Sequence, residues 1–332
     1  MSQTRERGTM LGMSTPGAHT PSRRVILGSL PLALAATFLT GCDVEFEEDA
    51  PFVPARTPIP GETNLLDLLA STAVGTRMSG VDPRVSGAVT GQVAPLSAAL
   101  LAAEVPDDVI AAAEGTSVAS APSTTTATPS GEPTAATPPP DPLSQPGLDL
   151  GLAALSGADT SLVPLIGALV AQRMAGSEIA GLDLTWAAPG DDAWVDPTAA
   201  IDLVKATREA VYAFEVVTAQ SSEGSAQRKR AGKTLTFLRA LEAAQAGASG
   251  SATPPHDLGG ELPFPVTSAG AAKRLATRTL DRLADAHAAT FAASATQRGS
   301  TLAIATWLAR VEVQRHGWGL ALEPFPGLTA SA

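Results

Sequence analysis

Apolar positions recur at helical spacing along most of this chain, and no long run alternates apolar with polar as a half-buried strand would. Leu65, Leu66, Leu69 and Val74 form a stripe over about residues 64–77. Asp82-Pro83 pairs a capping side chain with proline at the first helical position. It predicts a second helix carrying Val85, Val89, Val93, Leu96 and Leu100, kinked or broken near Pro95. A short segment over 107–113 continues it. Leu148 to Leu155 is a further short apolar segment, and Asp159 opens a helix bearing Leu162, Leu165, Leu169 and, at its polar end, Arg173. The pattern is clearest from Asp196 onward. Asp196-Pro197 starts a helix to about Gln220, and others cover about 224–245, 268–294 and 299–318. Two short connections and one Gly/Pro-rich loop over 247–265 join these four amphipathic helices, a plan that fits a four-helix bundle.

The fold class expected is therefore all-α. A bundle over 196–328 is preceded by a looser helical domain, a weaker version of the same plan, in two pieces at 62–114 and 148–185. Residues 115–147, which are Thr, Pro, Ser and Ala with almost no large apolar side chain, read as a disordered linker open to O-glycosylation. Abundant alanine and few aromatic residues, with Tyr212 the single tyrosine, favour helices.

The N-terminal segment carries an address. A polar leader ends in Ser22-Arg23-Arg24, a modest apolar run follows from Gly28 to Phe38, and the run closes on Leu39-Thr40-Gly41-Cys42. Ser29, Pro31 and Thr37 interrupt it, and it falls short of the ~20 apolar residues a membrane-spanning helix needs. Arg23-Arg24 resembles a twin-arginine export signal, and the closing tetrapeptide resembles a bacterial lipobox. The resemblance implies a signal peptide over 1–41, lipid on Cys42 and residence on the outer face of the cell membrane. Residues 42–61, with Glu45, Glu47, Glu48, Asp49 and four prolines, read as an extended acidic tether. Cys42 is the only cysteine, which rules out an intrachain disulfide or a Cys-based metal or redox centre.

Charge is unevenly placed. Residues 42–200 hold 4 basic and 21 acidic side chains, whereas 201–332 hold 14 and 11. No domain-wide basic field exists, so nucleic acid is not an expected partner. The cluster Arg228, Lys229, Arg230 and Lys233 is a solvated helix face, or else a surface for an envelope protein or an anionic partner.

Three segments carry a family resemblance: Val211-Tyr212-Ala213-Phe214, Leu262-Pro263-Phe264-Pro265-Val266, and the closing Leu-x-Pro-Phe-Pro-Gly over 322–327. The chain resembles, over about 198–328, an actinobacterial family of ferritin-like domains of unknown function often found in exported lipoproteins. The likeness implies a ferritin-like fold and no established activity. Members commonly carry a Glu-His pair just before the Val-Tyr-Ala-aromatic stretch, where this chain has Thr207 and Arg208. Any metal role of that pair is absent here.

The ligand count points the same way. Ferritin-like di-iron centres need two Glu-x-x-His pairs. Of the four histidines, His19 lies in the leader and His256 in the Gly/Pro-rich loop, while His287 and His316 follow Ala284 and Val313 at that spacing. On a helical wheel, His287 centres the apolar face of the third bundle helix. Arg208, Tyr212 and Glu215 share the inward face of the first, and Glu242 sits at the edge of the second. These five are the candidate interior polar cluster, read as a structural network, a small-ligand pocket or a mononuclear metal site. Glu312 and His316 read as a surface pair. With no phosphate-cradling loop and no nucleophile elbow, no catalytic residue, metal ligand or cofactor is assigned. The leading expectation is a lipid-anchored, non-catalytic interaction or scaffolding module. A small-ligand-binding lipoprotein comes second and a metal-dependent oxidoreductase with a non-standard site third.

Overall fold

The computed structural model describes residues 56–75, 81–115, 138–185, 194–255 and 259–328. Arg23, Arg24, Cys42 and the rest of 1–55 lie outside the described residues, as do 116–137 of the Thr/Pro-rich stretch and His256. Described residues form ten α-helices and no strand. They are α1 (Glu62–Gly75), α2 (Pro83–Thr90), α3 (Val93–Ala102), α4 (Asp107–Ala113), α5 (Gln145–Gly157), α6 (Val163–Ile179), α7 (Thr198–Ala219), α8 (Ala226–Ser249), α9 (Ala269–Ala293) and α10 (Arg298–Gly317). The chain is all-α, as the periodicity predicts.

Local chemistry sets most of the boundaries. Asp82 accepts from the Arg84 N–H and starts α2 with Pro83 at its first position. Ser225 and Ser268 cap α8 and α9 in the same way. The break expected near Pro95 falls instead at Gly91–Gln92. Pro95 sits in the first turn of α3, where its missing N–H has no helical partner to lose. Gln92 turns inward, donating to Gln172 Oε1 at 2.8 Å and to the Pro324 carbonyl at 2.9 Å.

The linker expected to run to residue 147 gives way to packed chain by Pro140. The Pro140 carbonyl accepts from Ser71 at 2.9 Å, that of Leu143 accepts from Ser177 at 3.0 Å, and the Leu143 side chain is buried. Ser144 then caps α5. Composition marked this stretch as linker, but the turn residues Asp141 and Ser144 and the lone Leu143 suffice to dock it.

Helix α6 is apolar on nearly every side, and every residue from Ile166 to Ser177 is buried. Such a helix belongs in an interior. It packs on α5 on one side and on α10 and α9 on the other, so one apolar core runs from α1 through α6 into α7–α10. Gly167 permits the closest approach. A Cβ there would stand 2.5 Å from the Phe291 ring of α9.

Side-chain pairs fix the directions of the last four helices. Thr207–Gln245 and Glu215–Arg239 run α7 antiparallel to α8. Gln227–Ala269 and Gln245–His287 keep a constant offset, so α8 and α9 run parallel. Asp281–Arg315 and the short turn before α10 set α10 antiparallel to α9. The long loop after α8 is therefore a crossover that carries the chain back to the end where α8 began.

Residues 318–328 close the fold as a strap. Trp318, Leu322 and Phe325 are buried, with Trp318 edge-on to Phe214 at 5.6 Å between ring centroids. Gly327 takes φ +69° and lies so near the Ala284 carbonyl that a Cβ would stand 2.5 Å from it, so a side chain is excluded on both counts. The Leu-x-Pro-Phe-Pro-Gly motif is this strap.

Candidate functional site

The five residues of the expected interior cluster separate into three places. His287 lies where the wheel placed it, fully buried on α9. Its Nδ1–H donates to the Leu283 carbonyl at 2.7 Å, and its Nε2 accepts from Gln245 Nε2 at 3.1 Å. Gln245 Oε1 in turn accepts from the Thr207 hydroxyl at 2.7 Å. Burial pulls the imidazole down to about 4, with the Leu283 carbonyl opposing weakly. The ring is neutral at pH 7, and both its nitrogens are engaged. Gln245 carries no titratable group to mark it in the sequence, and Thr207 stands out there only as a departure from the family's Glu-His pair. Their signal was a polar residue on an inward face, at a level where α7, α8 and α9 meet.

Arg208 and Glu242 do meet. Arg208 Nε donates to Glu242 Oε1 at 2.9 Å, and its Nη1 donates to the Pro254 and Pro255 carbonyls at 2.6 and 3.1 Å. The guanidinium thus ties α7 to α8 and to the start of the crossover loop. Tyr212, one turn on, is half-buried, and Gly259 and Gly260 of that loop come within van der Waals reach of its ring. Together they border a groove of about 990 Å³ between α7 and α9. Its floor is small and apolar, from Ala206, Ala210, Leu275 and Leu283. Its rim is mixed in charge, with Lys205, Arg278 and Arg282 facing Glu209, Glu261 and Asp285. Burial raises the Asp285 carboxyl, and Glu323 adds to the shift.

Glu215 is not part of this interior. It is exposed and pairs with Arg239 at 2.8 Å, not with Arg208. The wheel gives a side chain's direction but not what covers it, and at this level α8 presents only another exposed side chain.

A second charged cluster surrounds Glu312, whose spacing from His316 predicts a surface pair. Glu312 is fully buried and bonds Arg315 Nη1 at 2.6 Å; it does not pair with His316. Arg315 also reaches Asp281 of α9 and Glu323 of the strap, each at 2.8 Å. One guanidinium is shared by three carboxylates. Burial raises Glu312 to about 7, and Arg315 offsets only part of that. In the front half, Arg173 is fully buried with Thr72 Oγ1 at 2.6 Å as its nearest acceptor. Burial lowers it to about 9 against the weaker pull of Asp141. Among the described residues no three His, Cys, Asp or Glu side chains are arranged to hold a metal ion.

Residues 199–330 match a domain of unknown function, DUF4439. The matched span takes in α7–α10, the groove, the Thr207–Gln245–His287 chain and the strap. No curated protein and no solved structure matches the chain.

Proposed function

We propose that this protein is a lipid-anchored, extracytoplasmic interaction module whose DUF4439 segment is a ferritin-like bundle stripped of its metal chemistry. The observation that carries the reading is the Thr207–Gln245–His287–Leu283 chain. The bundle interior holds a neutral relay of hydrogen bonds, and the imidazole has no lone pair left for a ligand. Thr207 stands where the resembled family carries the Glu of its Glu-His pair. The parallel α8 and α9 joined by one long crossover, with antiparallel partners on either side, suit a ferritin-like topology. Anchoring rests on Arg23-Arg24 and on the Leu-x-Gly-Cys sequence ending at Cys42.

Two experiments test this. Cys42→Ala releases the protein from membranes or blocks its processing; a variant that is cleaved normally yet stays with the membrane defeats the anchor. Purified protein carries no stoichiometric transition metal. Iron or manganese that is present at one or two per chain and lost in His287→Ala would instead establish the oxidoreductase reading.

The α7–α9 groove favours a second reading, a small-ligand-binding lipoprotein. Its volume lies at the upper end of ordinary ligand pockets. The ligand would lie against Tyr212 and Arg208 on the flank of the bundle, outside the interior that the sequence pointed to.

A further inference from the structure

We infer that the end of the bundle where α8 and α9 begin is a docking surface for an anionic lipid bilayer. The inference rests on the lipid-anchored reading above and says which face of the protein meets the membrane.

Because α8 and α9 run parallel, both start at the same end, where Gln227 of α8 donates to the Ala269 carbonyl of α9 at 2.9 Å. Their first two turns carry six cations at this end: Arg228, Lys229, Arg230 and Lys233 from α8, and Lys273 and Arg274 from α9. All six are exposed. Among the described residues no ion pair joins any of them to a carboxylate. Along α8 and α9 the first acids are Glu242 and Asp281; the described flanking segments add Glu223 before α8, Glu261 in the crossover loop and Glu323 in the strap, fewer than the six cations. Two of the six are braced on aromatic rings. Arg230 lies 5.6 Å from the Trp318 centroid, and Arg274 lies 5.7 Å from that of Phe264. The phenylalanine and tryptophan belong to the crossover loop and the strap, so the loop that returns the chain to this end also props up its charge. The backbone dipoles of two long helices add positive potential at the same place.

The form of the patch suits a broad partner. None of the six cations borders the α7–α9 groove, and they spread over the starts of two helices. A sheet of headgroups matches such a surface, because each Lys or Arg near an anionic leaflet contributes roughly fivefold in affinity. The rest of the chain supplies the proximity. Nineteen residues separate Cys42 from Glu62, where α1 begins. A chain of that length reaches at most about 60 Å. An anchored molecule therefore meets headgroups at high effective concentration. Residues 42–200, with 21 acids against 4 bases, would be repelled by the same leaflet, which leaves this end to face it.

The test uses full-length chain carrying Cys42→Ser, so that no acyl chain contributes, sedimented with phosphatidylcholine vesicles with or without about 30% phosphatidylglycerol. The leader is common to every variant and cancels in comparisons between them. Lys229→Glu, Lys233→Glu and Lys273→Glu together spare the two ring-braced arginines. Arg84→Glu, Lys205→Glu and Arg298→Glu together make the same change in net charge elsewhere. Binding to anionic vesicles is expected to fall on the order of 100-fold in the first triple variant and to stay within about fivefold in the second. Raising the salt to 1 M should release the unmodified protein. Equal binding to neutral vesicles, equal loss in both variants, or capture by soluble dextran sulfate without capture by vesicles overturns the inference. Because the assay contains no acyl chain, its failure leaves the Cys42 anchor standing.

Discussion

Burial holds the imidazole of His287 below its usual range and the carboxyl of Glu312 above its own. The two groups act on stability in opposite directions. His287 is held near 4 in the fold against 6.5 when exposed, so its contribution is present above pH 6.5 and is lost as pH falls toward 4. Glu312 is raised to about 7 from 4.5, so its contribution is present below pH 4.5 and is lost as pH rises through 7. Melting temperature followed from pH 4 to 8 should show the alkaline decline flattened in Glu312→Gln and the acid-side decline flattened in His287→Gln. An unchanged pH profile in Glu312→Gln would mean that Arg315 keeps the carboxylate fully ionised. His287→Ala opens a cavity and strands Gln245, for a loss of about 2–4 kcal/mol in chemical denaturation. Glu215→Ala should change stability by less than about 0.5 kcal/mol, because its pair with Arg239 is exposed. Arg208 and Glu215 are seven residues apart and share one azimuth, so periodicity could not tell them apart. What separates them is the neighbour at each level: Glu242 and the loop carbonyls for one, solvent for the other.

Among the elements, α6 shows how much depends on small residues at crossings. Gly167→Ala gains helix propensity worth about 1 kcal/mol. The new methyl, however, meets three atoms of the fully buried Phe291 ring at 2.5–2.8 Å. Overlap wins, and a net loss of about 1–3 kcal/mol is expected from denaturant titration. Gly87 of α2 has nothing within 4 Å of its would-be Cβ. Gly87→Ala is accordingly neutral or stabilising by up to about 1 kcal/mol, and destabilisation there would show that the open space is filled by something else. The existence of α6 was plain from Leu162, Leu165 and Leu169. Its burial on all sides was not, because the helices that cover it lie on both sides of it in the sequence. The break at Gly91–Gln92 is of the same kind: Pro95 was the local suspect, but Gln92 is drawn inward by Gln172 and by Pro324, 232 residues away.

At the scale of the molecule, Arg56–Ala332 forms one compact unit in which α6 belongs to the front helices and to the bundle alike. The strap adds a second tie, from Glu323 at Arg315 to Pro324 at Gln92. Calorimetry should therefore record a single unfolding transition over this unit, and Gly167→Ala should lower it as a whole. Two resolved transitions, with only one shifted, would show that the front helices and the bundle unfold independently. The charge asymmetry belongs to this scale too. Residue counts placed the basic excess in the C-terminal part, but only the parallel course of α8 and α9 collects it at one end.

Helical periodicity, capping pairs such as Asp82-Pro83 and the inward position of His287 are local properties, written in spacings of three and four residues. The sequence by itself therefore determined the all-α class, most of the helices and the location of the buried imidazole. The partners of that imidazole, the burial of Glu312, the exposure of Glu215, the α7–α9 groove and the basic end were decided only in tertiary structure. Each depends on which distant segment covers a given face, and a side chain's own neighbours in sequence carry no record of that.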